Sequence, residues 1–248
     1  MRYFQPHLHQ LGLSDPLPSP SLAWGDNTPA PGLLAIGGGL SVQRLLQAYG
    51  QGCFPWYSEG QPVMWWSPDP RMVLPVSQFR WHRSLRQHIK SLLKSNGAEI
   101  RIDSAFTQVI HACATAPRPG QDGTWIVPDM VRAYEAMHRA GHAHSVETWV
   151  DGQLVGGLYC VAIGHAVFGE SMFAGQSNAS KMALAALTGL CRAQGVTLID
   201  CQQNTAHLAS MGAHPITRTA FLQHLQGATA KPNLDWKFDP LYWRQLSE

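Results

Sequence analysis

The chain has 248 residues, 45% hydrophobic and 14% charged, with a formal net charge of +2. That composition supports a sizeable core and excludes a wholly disordered chain. The charge is too small for a binder that relies on a global excess of Lys and Arg, so any nucleic-acid contact must come from a local patch or from aromatic stacking.

Five prolines between Asp15 and Pro31, with Ser, Gly and Asn among them, predict turns and extended chain that wrap a surface. Ser41 is an N-cap for a helix carrying Leu45, Leu46 and Tyr49, which Gly50 and Gly52 end. A dense aromatic stretch follows, from Phe54 to Trp66, and a domain boundary is expected near residue 70. Leu85, Ile89, Leu92 and Leu93 recur at helical spacing from His82 to Ser95, with Asn96-Gly97 as the stop. Ile100 and Ile102 suggest a brief strand, and Phe106, Val109, Ile110 and Cys113 another helical face. A further helix starts at Pro128 and runs to Gly141.

The period then changes. His144 to Val150, the Asp151-Gly152 turn and Gln153 to Ala162 read as a β-hairpin of the type I′ kind. Ala166 to Phe173 is a third strand, and a helix from Asn178 to Gln194 leads into a strand from Val196 to Gln202. A strand, helix and strand in that order make a crossover whose two strands are parallel, so the fold class is α/β with a mixed sheet.

Ligands of open α/β sheets gather at the carboxyl ends of parallel strands, which singles out Glu170 to Phe173 and Asp200 to Asn204. Asp200 and Gln202 are two apart on extended chain and are expected to share a face, either as a polar pair aimed into a cleft or as residues that cap the helix near Asn204 or satisfy loop backbone. Glu170 is either a partly buried carboxylate with a task or a residue of a solvated strand face. The Trp-rich stretch is a stacking platform for bases or a satellite core. Lys181, in the first turn of its helix, invites an anion such as phosphate or Glu170, or is simply solvated.

His138 and His142 have an i, i+4 spacing, but Gly141 interrupts the helix and no third ligand completes a metal set, so neither a metal nor a cofactor is expected. Gly37-Gly38-Gly39 lacks the Lys and Ser/Thr of a P-loop and reads as a turn. Cys201 neighbours Asp200 but on the opposite strand face, which argues against thiol catalysis. The five cysteines share no CxxC pair, residues 1–20 carry no secretory signal, and no stretch approaches the roughly 20 apolar residues of a membrane helix, so a cytoplasmic protein without membrane contact is expected.

Six runs in order resemble one family. They are Gly52-Cys53-Phe54-Pro55-Trp56-Tyr57, Trp65-Trp66-Ser67-Pro68-Asp69-Pro70-Arg71, Gly123-Thr124-Trp125-Ile126, Gly169-Glu170-Ser171-Met172-Phe173, Asn178-Ala179-Ser180-Lys181 and Leu198-Ile199-Asp200-Cys201-Gln202. Together they resemble the leucyl/phenylalanyl-tRNA protein transferases over residues 30–225. The resemblance implies an N-acetyltransferase-like catalytic domain at 71–248 with a small N-terminal domain, 1–70, packed on it. It also implies transfer of Leu or Phe from aminoacyl-tRNA to proteins whose first residue is Arg or Lys, marking them for degradation under the N-end rule. An apolar pocket discriminates weakly between similar side chains, so some Met is expected to leak through.

By the same resemblance Asp200, Gln202 and Glu170 are catalytic, and Trp56 and Trp125 hold the terminal adenosine of the tRNA. Ser171, Met172, Phe173 and Lys181 are placed in the aminoacyl-tRNA site, and helical spacing, rather than the resemblance, adds Leu184 and Leu187, one turn apart, to Met172 and Phe173 as the apolar pocket expected around the aminoacyl side chain. Gln51 and Cys53 stand where the family pattern leads one to expect Arg and an apolar residue. An acyl-CoA dependent N-acetyltransferase and a non-catalytic tRNA-binding module are the alternatives. The first lacks its Gly-rich pyrophosphate turn before the 178–194 helix.

Overall fold

The computed structural model describes residues 7–94, 97–116 and 125–246. Asn96, Gly123 and Thr124 of the motifs above lie outside the described residues. Two sheets organise the chain. The first has four strands, β1 (His9–Leu11), β2 (Leu33–Gly37), β3 (Phe54–Pro55) and β4 (Met64–Trp66), in the order β1-β2-β4-β3. Helix α1 (Val42–Gly50) lies between β2 and β3 and starts at Ser41, whose hydroxyl accepts the Arg44 N–H at 3.2 Å. The aromatic stretch thus contains two strands, with Trp65 fully buried and its indole N–H donating to the Gly37 carbonyl.

The second sheet has seven strands. They are β5 (Arg71–Pro75), β6 (Ala98–Ile102), β7 (Ala143–Val150), β8 (Gln153–Ile163), β9 (Ala166–Ala174), β10 (Leu198–Gln202) and β11 (His214–Ile216), in the order β11-β5-β10-β9-β8-β7-β6. The hairpin turn is as expected, with positive φ at both Asp151 and Gly152. β9 and β10 are parallel, as the crossover rule required, and every other pair in this sheet is antiparallel. The expected mixed α/β sheet is therefore present, widened by β5 and β11, which periodicity did not reveal.

The helices are α2 (Arg83–Lys94), α3 (Phe106–Thr115), α4 (Pro128–Arg139), α5 (Ala179–Ala193), α6 (Ala206–Ser210), α7 (Arg218–Thr229) and α8 (Tyr242–Gln245). They divide the core in two. One hydrophobic cluster joins β1–β4 and α1 to α3, α4 and α7, and it crosses residue 70 without interruption. The other joins α2 and α5 to the opposite sheet face, where Trp236 and Trp243 of the C-terminal segment complete it. Gly156 of β8 lets α5 approach closely, because a Cβ there would collide with Ala179, and the Thr148 hydroxyl donates to the Ala179 carbonyl at 2.9 Å.

Candidate active site at the β9–β10 fork

The parallel pair is short. β9 and β10 are in register only at Val167–Ile199 and Phe168–Asp200. Beyond those positions β9 continues beside β8 to Ala174 and β10 continues beside β5 to Gln202, so the two strands part like a fork at their carboxyl ends. Each prong carries an extra residue at the parting point: Cys160 opposes Gly169 while Tyr159 opposes Ser171, leaving Glu170 over, and Asp200 opposes Val73 while Gln202 opposes Met72, leaving Cys201 over. Bulges of this kind re-aim side chains and break the alternation of faces.

Glu170 sits in the fork. One carboxylate oxygen accepts from the Tyr49 hydroxyl at 2.7 Å and from the Gln202 amide at 2.8 Å, and the other accepts from the Tyr134 hydroxyl at 3.0 Å. The two hydroxyl oxygens also lie within hydrogen-bond distance of each other, and with one proton apiece they fill two of these three contacts while Glu170 is charged. Burial pushes the Glu170 carboxyl up to about 7, although the tyrosine hydroxyls favour its charged form; nearby Asp200 pushes it further up and Arg71 pulls it down. Burial, and then the charge of Glu170, hold both tyrosines well above their usual value, so they remain hydroxyl donors at neutral pH.

Asp200 is placed differently from the expectation. It is 1% exposed and takes a bidentate pair from Arg71, Nε to Oδ1 at 2.8 Å and Nη2 to Oδ2 at 2.6 Å. Its Oδ1 also accepts the backbone N–H of Gln202 at 2.9 Å. The bulge and a left-handed Gln202, φ +61°, remove the shared face that simple strand alternation predicted. The Gln202 amide accordingly points to Glu170, and it is the main chain of Gln202 that Asp200 holds.

Behind the fork, on the α5 side, lies a cavity of about 740 Å³. Leu158, Met172, Leu184, Leu187 and Ile199 line it with apolar side chains, and Glu170, Ser171 and residues 205–208 complete its rim. Of the residues expected to form an apolar pocket, Met172, Leu184 and Leu187 line this cavity. Phe173 does not: adjacent strand residues face opposite ways, and Phe173 packs into the other cluster, beside Gly157 and with Trp56 and Trp125. Cys201 does line the cavity, and burial pushes its thiol far up, which removes it as a nucleophile.

Trp56 and Trp125 are both half-buried against the cluster that holds Tyr49 and Tyr134, and Trp56 meets Trp66 edge-on at 5.5 Å. Among the described residues Lys181 makes no ion pair with Glu170; its electrostatic neighbour is His207, whose imidazole is lowered by burial and by that lysine. His138 stacks on Phe106 at 4.3 Å and its Nδ1 meets the Ala143 carbonyl at 2.8 Å, a role in packing. Gly37 and Gly38 have positive φ and their N–H groups go to the carbonyls of Val63 and Leu11, which makes the glycine run a turn.

Sequence reasoning missed four features of the site. Tyr49 and Tyr134 occupy positions that periodicity assigns to core. Arg71 closes one of the family-like runs, but nothing in its spacing marks it as a partner of Asp200. The fourth left a visible signal: from Pro70 to Ala98 the chain contains no Asp or Glu, and α2 presents exposed Arg83, Arg86 and Lys90. The segment leading into α2 is tied to the cavity rim, since the Arg80 N–H donates to the Met211 carbonyl at 2.9 Å and His82 Nε2 meets the Ser210 carbonyl at 3.0 Å.

Comparison with known proteins bears directly on this geometry. Residues 73–226 match the leucyl/phenylalanyl-tRNA protein transferase family, and residues 38–69 match the N-terminal domain of the same proteins. A leucyl/phenylalanyl-tRNA–protein transferase of a Polaromonas species is 59% identical over 236 residues, covering 95% of this chain and 92% of that one. The chain belongs to this family. It is therefore an aminoacyltransferase. A second relative, from Albidiferax ferrireducens and of the same name, is 59% identical over 97% of this chain and 95% of its own. Among solved structures, FemX gives a TM-score of 0.45 at 11% identity, covering 64% of each chain.

Proposed function

We propose that this protein transfers leucine or phenylalanine, and methionine weakly, from aminoacyl-tRNA to the N-terminal Arg or Lys of acceptor proteins. Forming that peptide bond marks the acceptor for degradation in the cytoplasm. The observation that carries the reading is the junction of an apolar cavity with a carboxylate of perturbed affinity for protons. The apolar lining and volume of the cavity suit a Leu, Phe or Met side chain, and Glu170 lines the same cavity, so the ester of a side chain lodged there would lie beside it. Five free cysteines support a reducing compartment.

The fork supports a division of labour. The acceptor α-amine, with an ordinary pKa of roughly 7.7–8.0, attacks the ester carbonyl. Its proton passes to Glu170, whose own value of about 7 makes that transfer nearly balanced. The C–N bond forms, the bond to the ribose oxygen breaks, and the leaving oxygen takes that proton from Glu170, which returns to its charged form. The Gln202 amide has two N–H groups: one goes to Glu170, and the second is the donor for the tetrahedral oxyanion. Asp200, already bound by Arg71, keeps Gln202 in place.

Trp56 and Trp125 cover the terminal adenosine, for which each stacked ring contributes about 1–3 kcal/mol. Arg83, Arg86 and Lys90 meet backbone phosphates, and Lys181 adds positive charge beside His207 at the rim. The organisation we infer is an N-acetyltransferase-like catalytic domain at 71–248 with a small domain at 1–70. It is supported by the parallel fork, by the separate four-stranded sheet and by the break between the two family matches at 69 and 73.

The test is to mix the protein with Leu-tRNA or Phe-tRNA and peptides beginning with Arg, Lys or Ala. Transfer to the Arg and Lys peptides, with little to the Ala peptide, is the expected result. Turnover with acetyl-CoA in place of aminoacyl-tRNA, or tight tRNA binding with no transfer, overturns the reading.

A further inference from the structure

We propose that Arg71 is a positioning residue for the transfer reaction: through Asp200 it sets the main chain of Gln202 and thereby aims the Gln202 amide at Glu170. The proposal rests on the function given above. The Arg71 guanidinium is fully buried. Two of its hydrogen bonds go to Asp200, a third donates from Nη1 to the Gly52 carbonyl at 3.0 Å, and the rings of Phe54 and Phe221 lie at 4.8 and 4.6 Å from its central carbon. A planar fork that pairs bidentately and stacks on aromatic faces is a property of Arg and not of Lys.

Asp200 transmits the position. The oxygen that receives Arg71 Nε also receives the Gln202 N–H, at the very residue that adopts φ +61°. A glutamine in the left-handed region is disfavoured by roughly 1–2 kcal/mol and persists only where its surroundings over-determine it. Its side chain then spans the fork to Glu170. Arg71 thus connects the carbonyl of Gly52, just before the Phe-Pro-Trp run, and α7, through Phe221, to the proton-accepting carboxylate. It touches no substrate itself.

Two variants test this, each measured for thermal unfolding, Leu-tRNA binding and transfer. Arg71→Lys keeps the charge beside Asp200 but cannot form the paired fork. Arg71→Met combined with Asp200→Asn removes both charges, so no unpaired ion is left buried, and it keeps the question open to measurement if the single variant fails to fold. Both are expected to lose at least tenfold in kcat while KM for Leu-tRNA stays within twofold. In Arg71→Lys the acidic limb of the kcat profile is also expected to move to higher pH, because Glu170 loses an amide donor that favours its charged form. Folded variants with kcat within twofold of the parent overturn the proposal, as does an equal loss in kcat and binding with an unmoved limb. Absence of turnover in the parent protein would instead count against the proposed function.

Discussion

The two sides of the β9–β10 fork are held by different forces. On the α5 side Leu158, Leu184, Leu187 and Ile199 surround a cavity, and what matters there is apolar volume. On the other side Arg71, Asp200, Gln202, Glu170, Tyr49 and Tyr134 form a chain of directed hydrogen bonds, where each member fixes the next. Non-directional packing tolerates exchange of one aliphatic residue for another, whereas a directed chain fails at any link. The contrast suits an enzyme whose donor is chosen by size while its chemistry depends on orientation.

The largest effect expected is on the directed side. Asp200→Ala leaves the Arg71 charge buried without a counterion, a change that costs about 3–5 kcal/mol. Chemical denaturation should show that loss, and transfer should fall far more than tRNA binding; equal losses in both would remove the distinction between the two sides.

On the volume side, Leu187→Ala should cost about 2–5 kcal/mol of stability, towards the low end because the wall already faces a cavity. It should also raise the kcat/KM of Phe-tRNA relative to Leu-tRNA, by the roughly 1–3 kcal/mol that a change of this size carries in an apolar site. Competition between the two donors measures it, and an unchanged ratio would mean that the side chain lodges elsewhere.

Proton linkage gives a third test. Glu170 is pushed from 4.5 to about 7 in the folded protein, so folding favours its neutral form. Its contribution is fully present below pH 4.5, is lost as pH rises towards 7 and is constant above that. At equal pH the stability of Glu170→Gln relative to the parent should therefore improve between pH 4.5 and 7, by up to about 3 kcal/mol at 1.36 kcal/mol per unit. Unfolding curves across that range check it, and a flat difference would assign the site another ionisation. Smallest is the surface effect: Arg83→Ala should weaken tRNA binding for all sequences and flatten its salt dependence by about 0.7–0.9 in logarithmic slope for each phosphate left without its cation. Filter binding at several salt concentrations would reveal it.

Much of this was legible in the chain. Helical spacing gave Leu184 and Leu187 one face, the Asp151-Gly152 pair gave the hairpin, and the crossover rule gave the parallel strands whose ends carry Glu170 and Asp200. Phe173 was misplaced because the six-run resemblance treated neighbouring residues as a unit, while a strand sends them to opposite faces. Tyr49 and Tyr134 were invisible as site residues because a tyrosine at an apolar helix position has the same periodicity whether its hydroxyl is idle or bound to a carboxylate.

The amino-acid sequence by itself determined helices α1–α5, strands β6–β10 and which family the chain resembles, because period, caps and turn residues act over a few neighbours. Only the tertiary structure decided the partners of the charges. Arg71 meets Asp200 across 129 positions of chain, and Tyr49 meets Glu170 across 121. The two bulges that aim Glu170 and Gln202 depend on which strands lie alongside, and long-range pairing of that kind leaves no local pattern for a sequence to display.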